Sequence, residues 1–368
     1  MGPALVLLAA IVAFANGGND NFKGVATLYG SGAMPYRRAI AWATVTTFLG
    51  SLGALFVAGG LVSRFSGKGL VADAVAAQPQ FLLAVAAATA GVVLLATRLG
   101  FPVSTTHALL GGLVGAGIAL AGSAHVSYAT LGRSFVLPLV ASPILALLLA
   151  AAGHGALRGV ARLARVTAET CVCVGGVEHV ATFVPGGGAV RLASGVTVAV
   201  DSLERCERRY TGRVLGLSVQ DAITRLHLLT GGAVSFARGL NDTPKMVALL
   251  VATRALDPRP AYLLLSAAMA VGGLVAARRV ARTMSFEITA MDHGQAFAAN
   301  AVTAALVTLA SPLGLPVSTT HVSCGALFGI GAVSGEGRWR TIAQILAAWV
   351  ITLPAAALIA AAVAIVQT

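Results

Sequence analysis

Two stretches decide the fold: "LGFPVSTTHALLGG" spans Leu99–Gly112, and "LGLPVSTTHVSCGA" spans Leu313–Ala326. Each carries Ser-Thr-Thr-His two residues after a proline, inside an apolar stretch. We call these segments the first tetrad, Ser104–His107, and the second tetrad, Ser318–His321. Proline suits the first turn of a helix and Ser or Thr caps its N-terminus, so each tetrad predicts the start of a helix.

A second pair of matching segments precedes the tetrads. "FANGGNDNFKGVATL" (Phe14–Leu28) aligns with "FARGLNDTPKMVALL" (Phe236–Leu250), and both contain Asn-Asp followed by lysine. Asp20 precedes Ser104 by 84 residues, and Asp242 precedes Ser318 by 76. Because order and spacing agree, the chain contains an internal duplication.

The composition restricts the class of protein. Of the 368 residues, 57% are hydrophobic and 10% are charged, and the mean hydropathy is +0.86. Soluble domains average about a quarter charged residues, so the chain is predicted to be an integral membrane protein in a lipid bilayer. The net charge of +12 does not indicate a nucleic-acid partner, because the basic residues are spread over connecting loops.

Ten apolar segments approach the ~20 residues that a helix needs to cross a bilayer. They lie at 3–29, 38–62, 80–98, 102–121 and 134–153, and again at 225–252, 260–280, 295–312, 315–333 and 341–366. The number of crossings per half is odd, whether five segments cross or two of them form a re-entrant hairpin. An odd number inverts the second half relative to the first, as in many secondary transporters.

We therefore predict an all-α integral membrane protein with two inverted-topology repeats. Each repeat should have a broken first helix and a re-entrant helical hairpin with a tetrad at its tip. Repeat 1 is expected at residues 1–153, a small cytoplasmic insert at 154–224 and repeat 2 at 225–368.

The distribution of lysine and arginine predicts the orientation. With the insert in the cytoplasm, that side also holds Arg37, Arg38, Arg278, Arg279, Arg282, Arg338 and Arg340. The other side keeps only Arg64, Lys68, Arg133, Arg254 and Arg259. Both termini should then lie outside the cell membrane.

The insert changes character. "CVCVGGVEHVATFV" and "GVTVAV" alternate in the manner of short strands. Cys171, Cys173, His179 and Cys206 could bind a metal, but their spacing matches no standard zinc pattern. We expect a small β-rich insert with reduced thiols.

Asp20 and Asp242 are candidate cation-coupling residues. A carboxylate in a membrane segment costs roughly 2.5–3.5 kcal/mol on insertion scales. Nearby Gly and Pro residues loosen the helices and free backbone carbonyls. Together with Asn19 and Asn241, these oxygens suit Na⁺ or H⁺ as a coupling ion; no other metal and no cofactor is expected. The alternative is simple pairing of Asp20 with Lys23 and of Asp242 with Lys245.

The tetrads are the candidate substrate site. A helix N-terminus offers free N–H groups and positive dipole character, which favour an anion. The hydroxyls of Ser104, Thr105, Thr106, Ser318, Thr319 and Thr320 would add donors, and two tetrads could enclose one tetrahedral oxyanion. The alternative is that the tetrads are only helix caps.

Several polar residues rank second as site candidates: His107, His321, Lys23, Lys245, Gln295 and Asn300. The histidines could bind the anion, transfer protons or satisfy carbonyls. Gln295 and Asn300 could complete a cation shell or join two helices. Arg238 could attract an anion or pair with Asp242.

The two Asn-Asp segments and the two "PVSTTH" segments, duplicated and in this order, resemble the inorganic phosphate transporter (PiT) family, which also includes sulfate permeases. The resemblance covers nearly the whole chain outside the insert. It implies a secondary symporter that imports phosphate with Na⁺ or H⁺. By the same resemblance, Asn19, Asp20, Asn241 and Asp242 match the cation and substrate region, and the tetrad hydroxyls match anion-binding hairpins.

This sequence departs from the usual family signature, which reads closer to "GANDVANA". Here a lysine follows each aspartate by three residues, in "NDNFK" and "NDTPK". Such a lysine could change the preferred anion or the coupling ion. Sulfate therefore remains an alternative substrate, and both Na⁺ and H⁺ remain candidates.

An intramembrane hydrolase and a passive anion channel are the alternatives to a transporter. An intramembrane hydrolase would use one nucleophile with unequal partners, which a symmetric duplication disfavours, so no enzyme is expected. A passive anion channel is disfavoured by the intramembrane carboxylates. The sequence leaves self-association into a homo-oligomer open.

Overall fold

The computed structural model describes residues 1–167, 169–182, 189–209 and 211–367. The chain forms two compact units. The helical unit comprises residues 1–154 and 227 onward, and the small unit comprises residues 155–226.

The first half of the chain contains the helices α1 to α9. Their bounds are α1 Gly2–Asp20, α2 Ala26–Gly30, α3 Tyr36–Val57, α4 Gly59–Phe65, α5 Asp73–Ala76, α6 Pro79–Leu99, α7 Thr105–Ala121, α8 Tyr128–Thr130 and α9 Leu137–Leu163. A 3₁₀ turn at Ser123–His125 follows α7, and a π-helical stretch at Leu131–Val136 leads into α9.

The second half contains α11 to α16, after the small unit and its helix α10. Their bounds are α11 Val219–Val251, α12 Pro258–Ala276, α13 Arg278–Arg282, α14 His293–Ala310, α15 Thr319–Ser334 and α16 Trp339–Val366. A π-helical stretch, Thr283–Glu287, follows α13.

In the part of the chain that the structure describes, six helical segments are long and apolar enough to cross a membrane: Gly2–Asp20, Tyr36–Val57, Pro79–Leu99, Tyr128–Leu163, Pro258–Ala276 and Trp339–Val366. Each of the ten apolar segments identified in the sequence contains a helix of comparable extent. The chain is therefore a mostly helical membrane protein with several spans.

The first helices of the two halves differ, and the sequence prediction was right for only one of them. In the first half, α1 ends at Asp20, and turns separate it from α2. In the second half, α11 runs unbroken through Asn241, Asp242 and Pro244. Proline at this position removes only one helical hydrogen bond, and dense packing around the buried segment 237–250 keeps the helix continuous.

Both tetrads lie at the turn of a helical hairpin. α6 ends in Gly100, whose φ of +81° allows Phe101 N–H to donate to Ala96 C=O at 2.9 Å. The second hairpin repeats this turn with Gly314, whose φ is +65°. Glycine adopts this left-handed conformation without a steric penalty and ends helices for that reason. The extended Pro-Val-Ser segment then leads into α7 or α15.

The tetrad helices pack against the other half of the chain. Close backbone approach at glycines joins α7 to α16: a Cβ at Gly115 would lie 2.0 Å from Ala357 C=O. At the matching position, a Cβ at Gly329 would lie 2.3 Å from Leu147 C=O in α9. Each half thus holds the tetrad helix of the other, which makes the two halves one interlocked body.

The small unit contains a three-stranded antiparallel sheet of order β2-β1-β3. Its strands are β1 Thr170–Thr182, β2 Ala189–Ser202 and β3 Thr211–Ser218, and α10 is Leu203–Arg209.

The expectation of reduced thiols in this unit was wrong. Cys173 and Cys206 form a disulfide, with Cα atoms 6.1 Å apart, while Cys171 is a buried free thiol. The sequence spacing gave no sign of this pair, because it depends on how α10 packs against β1. The side chain of His179 lies outside the described part of the chain.

Candidate functional site

The serines of the tetrads cap their helices. Ser104 Oγ accepts from His107 N–H at 3.1 Å, and Ser318 Oγ accepts from His321 N–H at 3.2 Å. Both serines are buried. The capping alternative is thus correct for the two serines, and each tetrad begins a buried helix as the sequence predicts.

Lys23 lies in a shell of four oxygen acceptors, which we call the first lysine cage. Its ammonium group donates to Asn19 Oδ1 at 3.1 Å, to Val103 C=O at 3.2 Å and to Thr320 Oγ1 at 2.5 Å. It also pairs with the carboxylate of Asp20. Lys23 is 3% exposed.

Lys245 lies in an equivalent shell, the second lysine cage. Its ammonium group donates to Thr106 Oγ1 at 2.7 Å, to Val317 C=O at 2.8 Å and to Asp242 Oδ1 at 3.1 Å, and it also bonds Asn241 Oδ1. The four acceptor types match those around Lys23: amide, carboxylate, backbone carbonyl and threonine hydroxyl. Lys245 is 1% exposed.

The two cages are built across the halves of the chain. Lys23 of the first half binds the second tetrad, and Lys245 of the second half binds the first. Thr320 Oγ1 also donates to Val103 C=O at 2.8 Å. The lysines therefore join the two tetrads at one place, and each half completes the polar cluster of the other.

The carboxylates also contact the tetrads. Asp20 Oδ2 accepts from Thr105 Oγ1 at 3.3 Å, and Asp242 Oδ2 accepts from Thr319 Oγ1 at 3.2 Å. Asn16 Nδ2 donates to Asp20 at 2.9 Å and to Asp242 at 3.5 Å. The Asp–Lys pairing that the sequence offered as an alternative is present, as part of a larger network.

Asn19 and Asn241 fix the hairpin turns through their second polar atom. Asn19 Nδ2 donates to Thr97 Oγ1 at 3.0 Å, and Asn241 Nδ2 donates to Ser311 Oγ at 3.0 Å. Thr97 and Ser311 were missed at the sequence level, although each lies seven residues before its tetrad serine. Their equal spacing was the available signal.

Arg238 breaks the symmetry. It stands where the first copy has Asn16, and one of its terminal nitrogens donates to Asn16 Oδ1 at 2.5 Å. Its Nε lies 3.7 Å from Asp242 Oδ2, and the other terminal nitrogen donates to Asn21 Oδ1 at 3.1 Å. The buried cluster thus contains three basic side chains and two carboxylates, which gives a formal surplus of one positive charge when all five are ionised.

The two tetrad histidines meet beside the cages. Their ring centroids are 4.3 Å apart, and His321 stacks on Trp349 at 3.7 Å. Trp349 Nε1 donates to Pro102 C=O at 3.1 Å and so supports the first hairpin turn. Nothing in the sequence marked Trp349.

Gln295 and Asn300 hydrogen-bond to residues outside the lysine cages and the tetrads. Gln295 forms a capping box with Asp292 at the start of α14. Asn300 Nδ2 donates to Thr27 Oγ1 at 2.9 Å, and Thr27 in turn contacts His227. Within the described ranges, no group of three or more His, Cys, Asp or Glu side chains could hold a metal ion.

A basic cavity lies next to the site. Its volume is about 980 Å³, and its lining includes Arg98, Arg278, Arg279 and Arg282. Thr97, which binds Asn19, also lines it. We call this cavity the arginine vestibule.

The chain is thus a multi-span helical membrane protein in which two interlocked halves bring two matching buried polar clusters together, an arrangement expected of a membrane transport protein. The model of the Phosphate transporter family matches residues 16–360, so the chain belongs to that family. It is a transporter family and not one of enzymes, which excludes the hydrolase alternative.

The relatives extend over nearly the whole chain. A protein assigned as a phosphate permease in Pyrococcus furiosus is 27% identical, with 96% of this chain and 93% of the relative covered. Inorganic phosphate transporter 2-1 of Arabidopsis thaliana, a chloroplast protein, is 28% identical, with 97% and 70% covered. A solved structure described as the sodium-dependent phosphate transporter shares the fold at a TM-score of 0.75 and 24% identity, with 100% of this chain and 98% of that chain covered.

Proposed function

We propose that the chain is a secondary active transporter that imports inorganic phosphate through the cell membrane. The observation that carries this proposal is the pair of lysine cages, which unite the tetrads of both halves around a surplus positive charge. Membership of the phosphate transporter family supports the substrate.

The anion is proposed to bind between the tetrads. Apart from the N–H groups of His107 and His321, which the capping serines bind, the first-turn N–H groups of α7 and α15 have no intrahelical acceptor and favour an anion there. Lys23, Lys245 and Arg238 add positive charge. The hydroxyls of Thr105, Thr106, Thr319 and Thr320 would turn from the protein oxygens to which they now donate and donate to the anion instead. Ser104, Ser318, Asn19 and Asn241 are proposed to hold these groups in position through the capping and turn contacts.

We propose alternating access by two inverted-topology repeats, with the tetrad hairpins acting as re-entrant elements. The exchange of tetrad helices between halves supports this, because movement of one half must move the half-site of the other. The arginine vestibule would be the cytoplasmic exit, where guanidinium groups lower the electrostatic barrier for a leaving anion.

Import is proposed to be coupled to a cation at Asp20 and Asp242, with Na⁺ and H⁺ as the candidates. The fold shared with a transporter described as sodium-dependent supports Na⁺. The ammonium groups already paired with both carboxylates oppose Na⁺ there, because like charges repel, and leave H⁺ as the other candidate. Sulfate is the alternative substrate, because the same donors would bind another tetrahedral oxyanion.

The test is uptake of labelled phosphate by proteoliposomes under an imposed Na⁺ or H⁺ gradient, with unlabelled sulfate as competitor. We expect uptake that resists sulfate and is lost in Asp20→Asn and Asp242→Asn. Asp73→Asn, which removes an exposed carboxylate, is the matched control. Uptake of sulfate alone would change the substrate, and transport of neither anion would refute the proposal.

A further inference from the structure

The two lysine cages have the chemistry of cation sites that are already filled. Each presents a carboxylate, an amide oxygen, a backbone carbonyl and a hydroxyl to one ammonium group. Carbonyl and carboxylate oxygens from loosened helices are the ligands that membrane transporters use for Na⁺. A lysine ammonium is a compact point charge with three donors, so it can take the place of such an ion.

We propose that Lys23 and Lys245 are tethered counter-cations that replace Na⁺, so that phosphate binds and moves without Na⁺. This inference rests on the proposed phosphate transport and names the coupling chemistry of that same site.

Position within the sequence supports the replacement. Each lysine lies three residues after its aspartate and four after its asparagine. Lys245 reaches back onto both along α11, and Lys23 does so from the turn that follows α1. Each then extends further, to a hydroxyl and a carbonyl of the tetrad turns. The ammonium groups thus lie among the oxygens that a free cation would need.

The charge balance points the same way. Two carboxylates face Lys23, Lys245 and Arg238, so the cluster carries one surplus positive charge. A monovalent phosphate would neutralise this cluster with no further ion. Adding Na⁺ to each cage would require two more positive charges beside the ammonium groups, which like-charge repulsion opposes.

The experiment is counterflow: proteoliposomes loaded with unlabelled phosphate exchange it for labelled phosphate, with equal Na⁺ or equal choline on both sides. The wild-type protein is expected to exchange at the same rate in both media. Exchange that requires Na⁺ would overturn the inference and leave the proposed function intact. Absence of exchange in both media would overturn both.

Substituted cages provide the positive test. In the double variant Lys23→Asn/Lys245→Asn, the emptied oxygen cages should accept Na⁺. Phosphate exchange should then be at least about five times faster in Na⁺ than in choline, a typical size for the coupling between two ligands. Lys68→Asn, at an exposed lysine, should stay indifferent to Na⁺. A double variant that exchanges equally in both media would contradict the replacement.

Thermal unfolding gives a readout independent of transport. Na⁺ should raise the melting temperature of the single variants Lys23→Asn and Lys245→Asn relative to choline, and it should not change that of the wild type. If Na⁺ stabilised the wild type as much as the variants, the cages would not be filled by lysine.

Discussion

Asn16 and Arg238 occupy the same position in the two copies and give the site its charge. Arg238 is 1% exposed and contacts Asn16, Asn21 and Asp242. Burial of a guanidinium group requires such partners, because an unpaired buried charge costs several kcal/mol. The surplus positive charge of the cluster therefore depends on a residue whose counterpart in the other copy, Asn16, is uncharged.

Removal of this charge should weaken anion binding. Arg238→Gln keeps hydrogen-bonding capacity but makes the cluster neutral. Phosphate affinity should then fall about ten- to a hundred-fold, because one buried positive charge contributes about 1.5–3 kcal/mol to the binding of an anion. Binding of labelled phosphate to the purified protein measures this. Arg254→Gln, in a loop outside the site, is the control, and equal affinity in both variants would exclude Arg238 from the site.

Matching threonine hydroxyls of the two tetrads should contribute equally to phosphate uptake. Thr106→Val and Thr320→Val each remove one acceptor from a lysine cage, which costs about 1–3 kcal/mol for the unsatisfied partner. We expect similar losses of phosphate uptake in both variants, with Thr253→Val as control. The same symmetry should hold for Ser104→Ala and Ser318→Ala, whereas a loss confined to one copy would argue for unequal roles.

At the scale of elements, the helix contacts between halves depend on glycine. A Cβ at Gly115 would lie 2.0 Å from Ala357 C=O, so even alanine must push α7 away from α16. Gly115→Ala should destabilise the protein by about 1–3 kcal/mol, as overpacking does, and lower its melting temperature. Gly91→Ala adds a Cβ where nothing lies within 4 Å and should not destabilise; equal destabilisation of the two would contradict this packing.

The helices and their turns could be predicted from the sequence, but the contacts between them could not. Hydropathy located the helices and the Gly-x-Pro-Val-Ser motif located both turns, because these depend on local chemistry. The lysine cages were not predicted, since Lys23 and Thr320 lie 297 residues apart. The continuous α11 and the Cys173–Cys206 disulfide depend on packing between elements, which residue spacing does not encode.

At the scale of the whole molecule, the orientation follows from the arginines and lysines. We expect the small unit on the cytoplasmic side, so trypsin should cleave it in inside-out vesicles and leave it intact in right-side-out vesicles. The disulfide argues for the opposite orientation, because disulfides persist in oxidising compartments. Cleavage in right-side-out vesicles alone would reverse the orientation.

In the proposed transporter, the two tetrads form one anion site. The most direct measurement is the number of labelled phosphate ions bound per chain at saturation, for the wild type and for a variant of either tetrad. We expect one phosphate per chain, with binding weakened alike by Thr106→Val and by Thr320→Val. Two phosphates per chain, with each substitution removing only one, would show that the copies act separately and would contradict it.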